Sequence, residues 1–356
     1  MAASVVLLLL VLQSSLKDER AGEQQCSMNK TDTTSFHDSD GIAFLIDHGD
    51  RHKPFVLFAF EVGTANFREV ARVDLVFDGL PPTALHGFAD GRVLLGFTDR
   101  VDFVDLQAGT QEVLHDLRGQ SSRSSKAIDA FAWNGGSLLV AVDDILTPKW
   151  MVNFDVSLAR RPTLLGTTRL PDGVNEHNRD ALFLDTHSLV LLSEFGHMGG
   201  RGSILSFLSL DTAALNFTAA FAVELMEWEA EEGTTWVGPF SRMRKLEKST
   251  NNDIVIAAEE RGLVIIPAET QRECFSITNQ AQLENKLKQD AKRIKTKFPA
   301  VNVRCRQNMT VVLQVETLME NNEESPSQFH ISIYNSKWEE VHTSAWPYQW
   351  SDGQDS

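Results

Sequence analysis

The sequence predicts an all-β chain, a six-bladed β-propeller of four-stranded antiparallel blades with one amphipathic helix inserted between blades five and six. Three observations predict it. A run of β-favouring apolar residues ending in a carboxylate occurs six times, at Asp47, Asp99, Asp143, Glu194, Glu259 and Glu316. Turn-forming residues precede the first five runs, and two further strand-like segments follow every run. The steps between the acids are 52, 44, 51, 65 and 57 residues, the period of a repeat whose unit is one small sheet.

The units are justified in chain order. In the first, residues 36–41 carry Asp38, Asp40 and Gly41 as a hairpin, and 55–61 and 67–75 follow the acid as strands. The second is the clearest: Asp90-Gly91 is a hairpin signal, and 101–106 and 111–117 are separated by Ala108-Gly109. The third turns at Asn134-Gly135, with strands at 151–156 and 163–170. The fourth turns at Asp185-Thr186-His187, with strands at 204–210 and 217–223. The fifth turns at Asn251-Asn252 and is expected to place strands at 263–266 and 273–277. The sixth adds 330–334 and 339–344. A lone meander of this size cannot bury both faces, so neighbours must stack, and radial stacking leaves only short protected edges.

Residues 280–298 break the strand rhythm. Leu283, Leu287, Ala291, Ile294 and Phe298 form one stripe at helical spacing, opposite Lys286, Lys288, Lys292, Arg293, Lys295 and Lys297, and Pro299 ends the run. The expected role is packing on the outside of the ring; the alternative is docking to an acidic partner or membrane surface. Glu224 to Glu232 is acidic around Trp228 and reads as a solvated turn.

Composition narrows the function classes. With 42% hydrophobic residues the chain can bury a large core, which excludes a fully disordered protein. A net charge of −16 argues against nucleic acid, whose backbone wants a basic face. Residues 5–12 (VVLLLLVL) are too short to span a bilayer and have the length of a signal-peptide core, so 1–20 is read as a signal peptide, 31–346 as the propeller and 347–356 as a tail. A buried N-terminal strand is the alternative for the apolar run. Asn29, Asn216 and Asn308 head N-x-[ST] triplets, which fits a secreted, monomeric glycoprotein with no transmembrane segment. Cys26, Cys274 and Cys305 allow one bridge in three ways, or three buried free thiols.

No nucleophile elbow, zinc-protease, Walker or dinucleotide motif is present. The glycine-rich stretch 196–202 reads as a rim loop between strands. The repeat itself supplies the candidate chemistry. The end of a blade's second strand and the start of its first strand share one face, so the six acids are expected to crowd one opening, with Asp129, Asn178 and Asp180 beside them. Asp99, Asp143, Asn178, Glu194 and Glu259 are therefore the candidate metal ligands, and Ca²⁺ is the ion such hard oxygens would take. His86 and His177 are the candidate proton carriers. Ordinary turn chemistry and pairing with Arg100 or Arg261 is the alternative for these acids.

The strand repeat, over most of the chain, resembles the six-bladed group that contains gluconolactonase-type and phytase-like esterase propellers. That resemblance implies the architecture and carries no catalytic residue across. Two functions follow: a binding module with a protein or small molecule at one propeller face and no certain cofactor, or a Ca²⁺-dependent lactonase- or phosphoesterase-type hydrolase at the carboxylate-rich mouth.

Overall fold

The computed structural model describes residues 42–47, 55–62, 67–76, 82–88, 90–117, 128–143, 150–157, 161–170, 177–197, 200–224, 243–258, 262–277, 279–306, 309–320 and 323–347. Their strands pair in chain order into six antiparallel sheets, five of four strands and one of three. The first sheet holds β1 (Ile42–Asp47), β2 (Phe55–Val62) and β3 (Phe67–Leu75). The second holds β4 (Ala84–Gly87), β5 (Arg92–Gly96), β6 (Arg100–Asp105) and β7 (Thr110–Asp116). The third holds β8 (Ile128–Trp133), β9 (Leu138–Asp143), β10 (Trp150–Asp155) and β11 (Thr163–Arg169). The fourth holds β12 (His177–Phe183), β13 (Ser188–His197), β14 (Gly200–Asp211) and β15 (Asn216–Glu224). In the fifth are β16 (Met243–Lys248), β17 (Ile254–Ala258), β18 (Gly262–Ile266) and β19 (Lys292–Ile294). The sixth has β20 (Ala300–Arg306), β21 (Met309–Glu320), β22 (Glu323–Asn335) and β23 (Glu340–Pro347). These sheets are the blades of a six-bladed β-propeller. Residue contacts divide the chain into two compact units, the first containing blades one and two, the second blades four to six, with blade three contributing to both.

Local chemistry explains the hairpins. Gly91 takes φ +83 between β4 and β5, and Gly135 takes φ +79 between β8 and β9. The Asn134 side chain accepts from the Gly136 and Leu138 nitrogens, and Asp185 accepts from His187 and Ser188 between β12 and β13. Asn252 sits at φ +64 before β17, as its short amide side chain allows. The third-to-fourth strand turns share a second device. Asp105, Asp155, Asp211 and Asn335 each end the third strand and accept backbone hydrogen bonds from residues two to four further on.

Blade five departs from the expected pattern. The segment 273–277 is no strand: Pro267 opens the helix α1 (Ala268–Cys274), with Glu269 in its first turn. A second helix, α2 (Gln280–Asp290), is capped by the Asn279 side chain accepting from the Gln282 nitrogen. It stops at Asp290 instead of running to 298, because Ala291 turns extended and Lys292–Ile294 return as the fourth strand, with Ile294 opposite Leu263. Two helices thus interrupt blade five between its third and fourth strands, where one helix was expected between blades five and six. The described part of the glycine-rich stretch, 196–197 and 200–202, is strand where a rim loop was expected. Gly196 pairs with Arg201 and His197 with Gly200, continuing the β13–β14 ladder. The hairpin expected at 36–41, residues 1–20 and the 347–356 tail beyond Pro347 lie outside the described residues, as does the Glu224–Glu232 run after its first residue.

Burial follows the alternation. In the first unit Leu57 and Ala59 of β2 pack with Val93, Leu95 and Phe97 of blade two and Val104 of β6. In the second, Val190, Leu192, Leu205 and Phe207 of blade four pack with Ile254, Ile256 and Val264 of blade five. Leu283 and Leu287, both fully buried, anchor α2 to that core, each contributing about 1.5–3 kcal/mol. Close approach demands glycine twice. A Cβ on Gly96 would lie 2.6 Å from the Ile128 Cβ. One on Gly262, at φ +81, would overlap the Ile294 carbonyl oxygen and lie 2.6 Å from the Thr296 nitrogen.

Candidate functional site

The buried charges are committed to one another. Asp102 of β6, 1% exposed, accepts from Arg100 Nε at 2.9 Å and from the Gln111 amide at 2.6 Å. Arg100 and Gln111 both donate to the Val76 carbonyl, and Val76 N–H donates back to Gln111, so the chain leaving β3 is fastened to β6 and β7. Burial pushes the Asp102 carboxyl above its usual range, against the lowering effect of the Gln111 and Arg100 hydrogen bonds. Asp180 of β12, also 1% exposed, accepts from Lys245 Nζ at 2.8 Å and from the Leu246 nitrogen at 2.6 Å, joining β12 to β16. In the sixth blade His330 Nε2 lies 2.8 Å from Glu316 Oε2, and its ring stacks on Phe298 at 4.1 Å. Gln314 links the Phe298 nitrogen to Ser332, which continues to Thr343.

The sequence-predicted residues distribute as follows. Asp99 sits in the turn between β5 and β6, half-buried. Asp143 ends β9. Glu194 lies inside β13, directly opposite His177 at the start of β12, and Asn178 pairs with Ser193. A register shift between Asn178 and Asp180 bulges the strand there, the kind of irregularity that re-aims side chains. His177, Asn178 and Glu194 thus come to one end of blade four. Their side chains lie outside the described residues, as do that of Asp143 and the whole of Glu259. His86 is the third of the four residues of β4, opposite Leu94, with its ring edge-on to Phe88 at 4.7 Å. Glu316 and Asp180, read from sequence as mouth oxygens, are engaged by His330 and by Lys245 with Leu246. Among the described residues no three His, Cys, Asp or Glu side chains converge so as to hold a metal ion.

A cleft that sequence reasoning missed opens at the other end of blades four and five. Its volume is about 550 Å³, and its walls are the β12–β13 turn, the β16–β17 turn and one side of α1. Gln271 of α1 donates to the carbonyls of Asn252 (2.9 Å) and Ile266 (2.8 Å), which fixes the helix on the hairpin. Phe275 meets Phe207 edge-on at 5.4 Å and lines the cleft with Leu184. Asp185, Asn251 and Arg272 bring exposed polar groups. Burial would raise Asp185, but donors from His187 and Ser188 outweigh it and hold the carboxyl below its usual range. The cleft is missed from sequence because a strand is expected at 273–277, where α1 ends and Phe275 follows it.

Cys274 and Cys305 are both free, and burial pushes each thiol up to about 12. The bridge between these two is therefore not formed; Cys26 lies outside the described residues. Asn216 is exposed at the start of β15, whereas Asn29 and Asn308 lie outside the described residues. No described helix is long and apolar enough to cross a membrane.

No family profile matches the chain, and no curated protein matches it. Among solved structures it is similar to a protein from Lactobacillus plantarum, at 12% identity and a TM-score of 0.52, over 85% of this chain and 81% of that one. It is also similar to the periplasmic gluconolactonase PpgL of Pseudomonas aeruginosa, at 12% identity and a TM-score of 0.50, over 86% and 82%. At this identity the likeness shows the fold alone.

Proposed function

We propose that the protein is a secreted, monomeric binding module that takes a small hydroxyl-rich ligand in the cleft walled by α1. One observation carries this reading: a cleft of ligand size combines an aromatic ring, a carboxylate, a guanidinium and amide groups. Hydroxyls pair with Asp185, Asn251 and Arg272, while the apolar face of a sugar lies against Phe275. Glucose, gluconate and glucuronate are the probes. At millimolar concentration at least one should raise the melting temperature, and Asn251→Trp, an exposed turn substitution that fills the cleft, should abolish the shift. No shift with any of the three, or an unchanged shift in the variant, overturns it.

A Ca²⁺-dependent hydrolase is the second reading, favoured by the placement of His177 opposite Glu194 beside a bulge and by the gluconolactonase among proteins of like fold. The same preparation, assayed for hydrolysis of a sugar lactone and a phosphodiester with Ca²⁺ and with EDTA, separates the two. Metal-dependent turnover replaces the binding reading, and its absence removes the hydrolase.

Secretion is supported by the apolar run at residues 5–12 and by the N-x-[ST] triplet headed by the exposed Asn216. Full-length chain made in a secretory eukaryotic host should lose mass on endoglycosidase treatment, with one glycan fewer in Asn216→Gln. An endoglycosidase-insensitive wild-type chain contradicts it.

A further inference from the structure

The chain carries a net charge of −16, yet residues 286–297 hold six cations and one carboxylate, Asp290. Lys286 is the inward member, bonded to Glu273 and Asp290, which together raise it to about 12. The five others, Lys288, Lys292, Arg293, Lys295 and Lys297, are exposed. They follow the end of α2, the strand β19 and the chain leading to β20, and β19 is the last strand of its sheet. The apolar residues of the same segment face the other way: Leu283 and Leu287 are fully buried, and Ile294 packs on the core between blades five and six. The outward surface is therefore cationic without apolar relief.

Lysines on an edge strand commonly serve to keep it from pairing with another chain. That purpose needs one or two charges on the strand, whereas this run continues past both ends of a three-residue strand. Three of the five are also left unneutralised by the described acids. Among the described residues Lys292, Lys295 and Lys297 have no carboxylate partner; Lys297 lies over the Phe298 ring at 4.9 Å. Three exposed, unpaired like charges within six residues repel one another, and a polyanion laid along them relieves that repulsion while releasing its counterions.

We propose that the exposed run from Lys288 to Lys297, centred on edge strand β19, is a docking surface for a linear sulfated polysaccharide. The alternatives fit less well. A membrane surface needs apolar side chains on the same face as the cations, and here they point inward. An acidic peptide needs a pocket for an anchoring side chain, and this surface is an edge. Single-stranded nucleic acid needs free aromatic platforms, and Phe298 is already stacked on His330. A sulfated chain asks only for repeated cations along an extended line. The proposal is independent of the cleft, which involves none of the five exposed cations.

The test measures binding of a heparin oligosaccharide to the full chain between 50 and 200 mM salt. Log affinity should fall linearly with log salt, with a slope of roughly −2 to −3.5 for three to five contacts. Lys292→Ala/Lys295→Ala/Lys297→Ala should keep the melting temperature, bind at least tenfold more weakly at 50 mM salt, and show a slope smaller by about 2. Lys337→Ala, an exposed lysine in the β22–β23 turn, should bind like wild type. No binding at 50 mM salt, an unchanged triple variant, or equal affinity for the desulfated oligosaccharide overturns the proposal. So does tighter binding of single-stranded DNA or polyglutamate of equal charge.

Discussion

Asp102 and Asp180 are equally buried, yet they are held by different means. Asp102 meets a guanidinium and a side-chain amide from its own sheet, and those two donor side chains also grip the backbone at Val76. Asp180 spans from the first strand of blade four to the first strand of blade five, where an ammonium and a backbone N–H meet it. In the first knot each donor has a second acceptor; in the second, the Leu246 N–H depends on the carboxylate. The lesson is that equal burial does not mean equal dependence: the cost of losing a buried acid is set by what it leaves behind.

The largest expected effect follows from that difference. Asp180→Ala strands an ammonium and a buried N–H, and should cost about 3–5 kcal/mol in urea denaturation. Asp180→Leu combined with Lys245→Met, which removes both charges, should recover a large part of it. A loss below about 1 kcal/mol in the single variant would break the comparison. A smaller, pH-shaped effect is expected at Asp102→Asn, about 1–3 kcal/mol. The folded-state pKa of Asp102 is raised, so the folded protein holds the proton more tightly than the unfolded chain does. Wild-type stability therefore falls, relative to the variant, as pH rises from about 3.8 through the raised value. The deficit of Asp102→Asn should be greatest near pH 3.5 and shrink toward pH 7; a deficit that grows with pH would contradict the burial of this acid.

The repeat was legible because each blade writes its own turns. Asp-Gly, Asn-Gly and the strand-end acids act on residues two to four positions away, so their effect is visible in a short stretch of sequence. The partners of Asp180 lie 65 and 66 residues on, beyond any local pattern, and the sequence placed it only beside the candidate ligands at the mouth. Asp102 did carry a signal that went unread: an acid between Val101 and Phe103, both buried, must be paired. In blade five the local pattern misled. Ile294 and Phe298 share the helical stripe of Leu283 and Leu287, but tertiary pairing with β18 draws Ile294 into a strand. Pro267 followed by Glu269 was the available sign of α1, outweighed by the expectation of a fourth strand.

Gly262 gives the helical excursion a fixed doorway. Because no side chain stands at that position, the returning backbone at Ile294 and Thr296 can lie flush against the start of β18. Any larger residue at 262 would unseat the outermost strand and the basic run it carries.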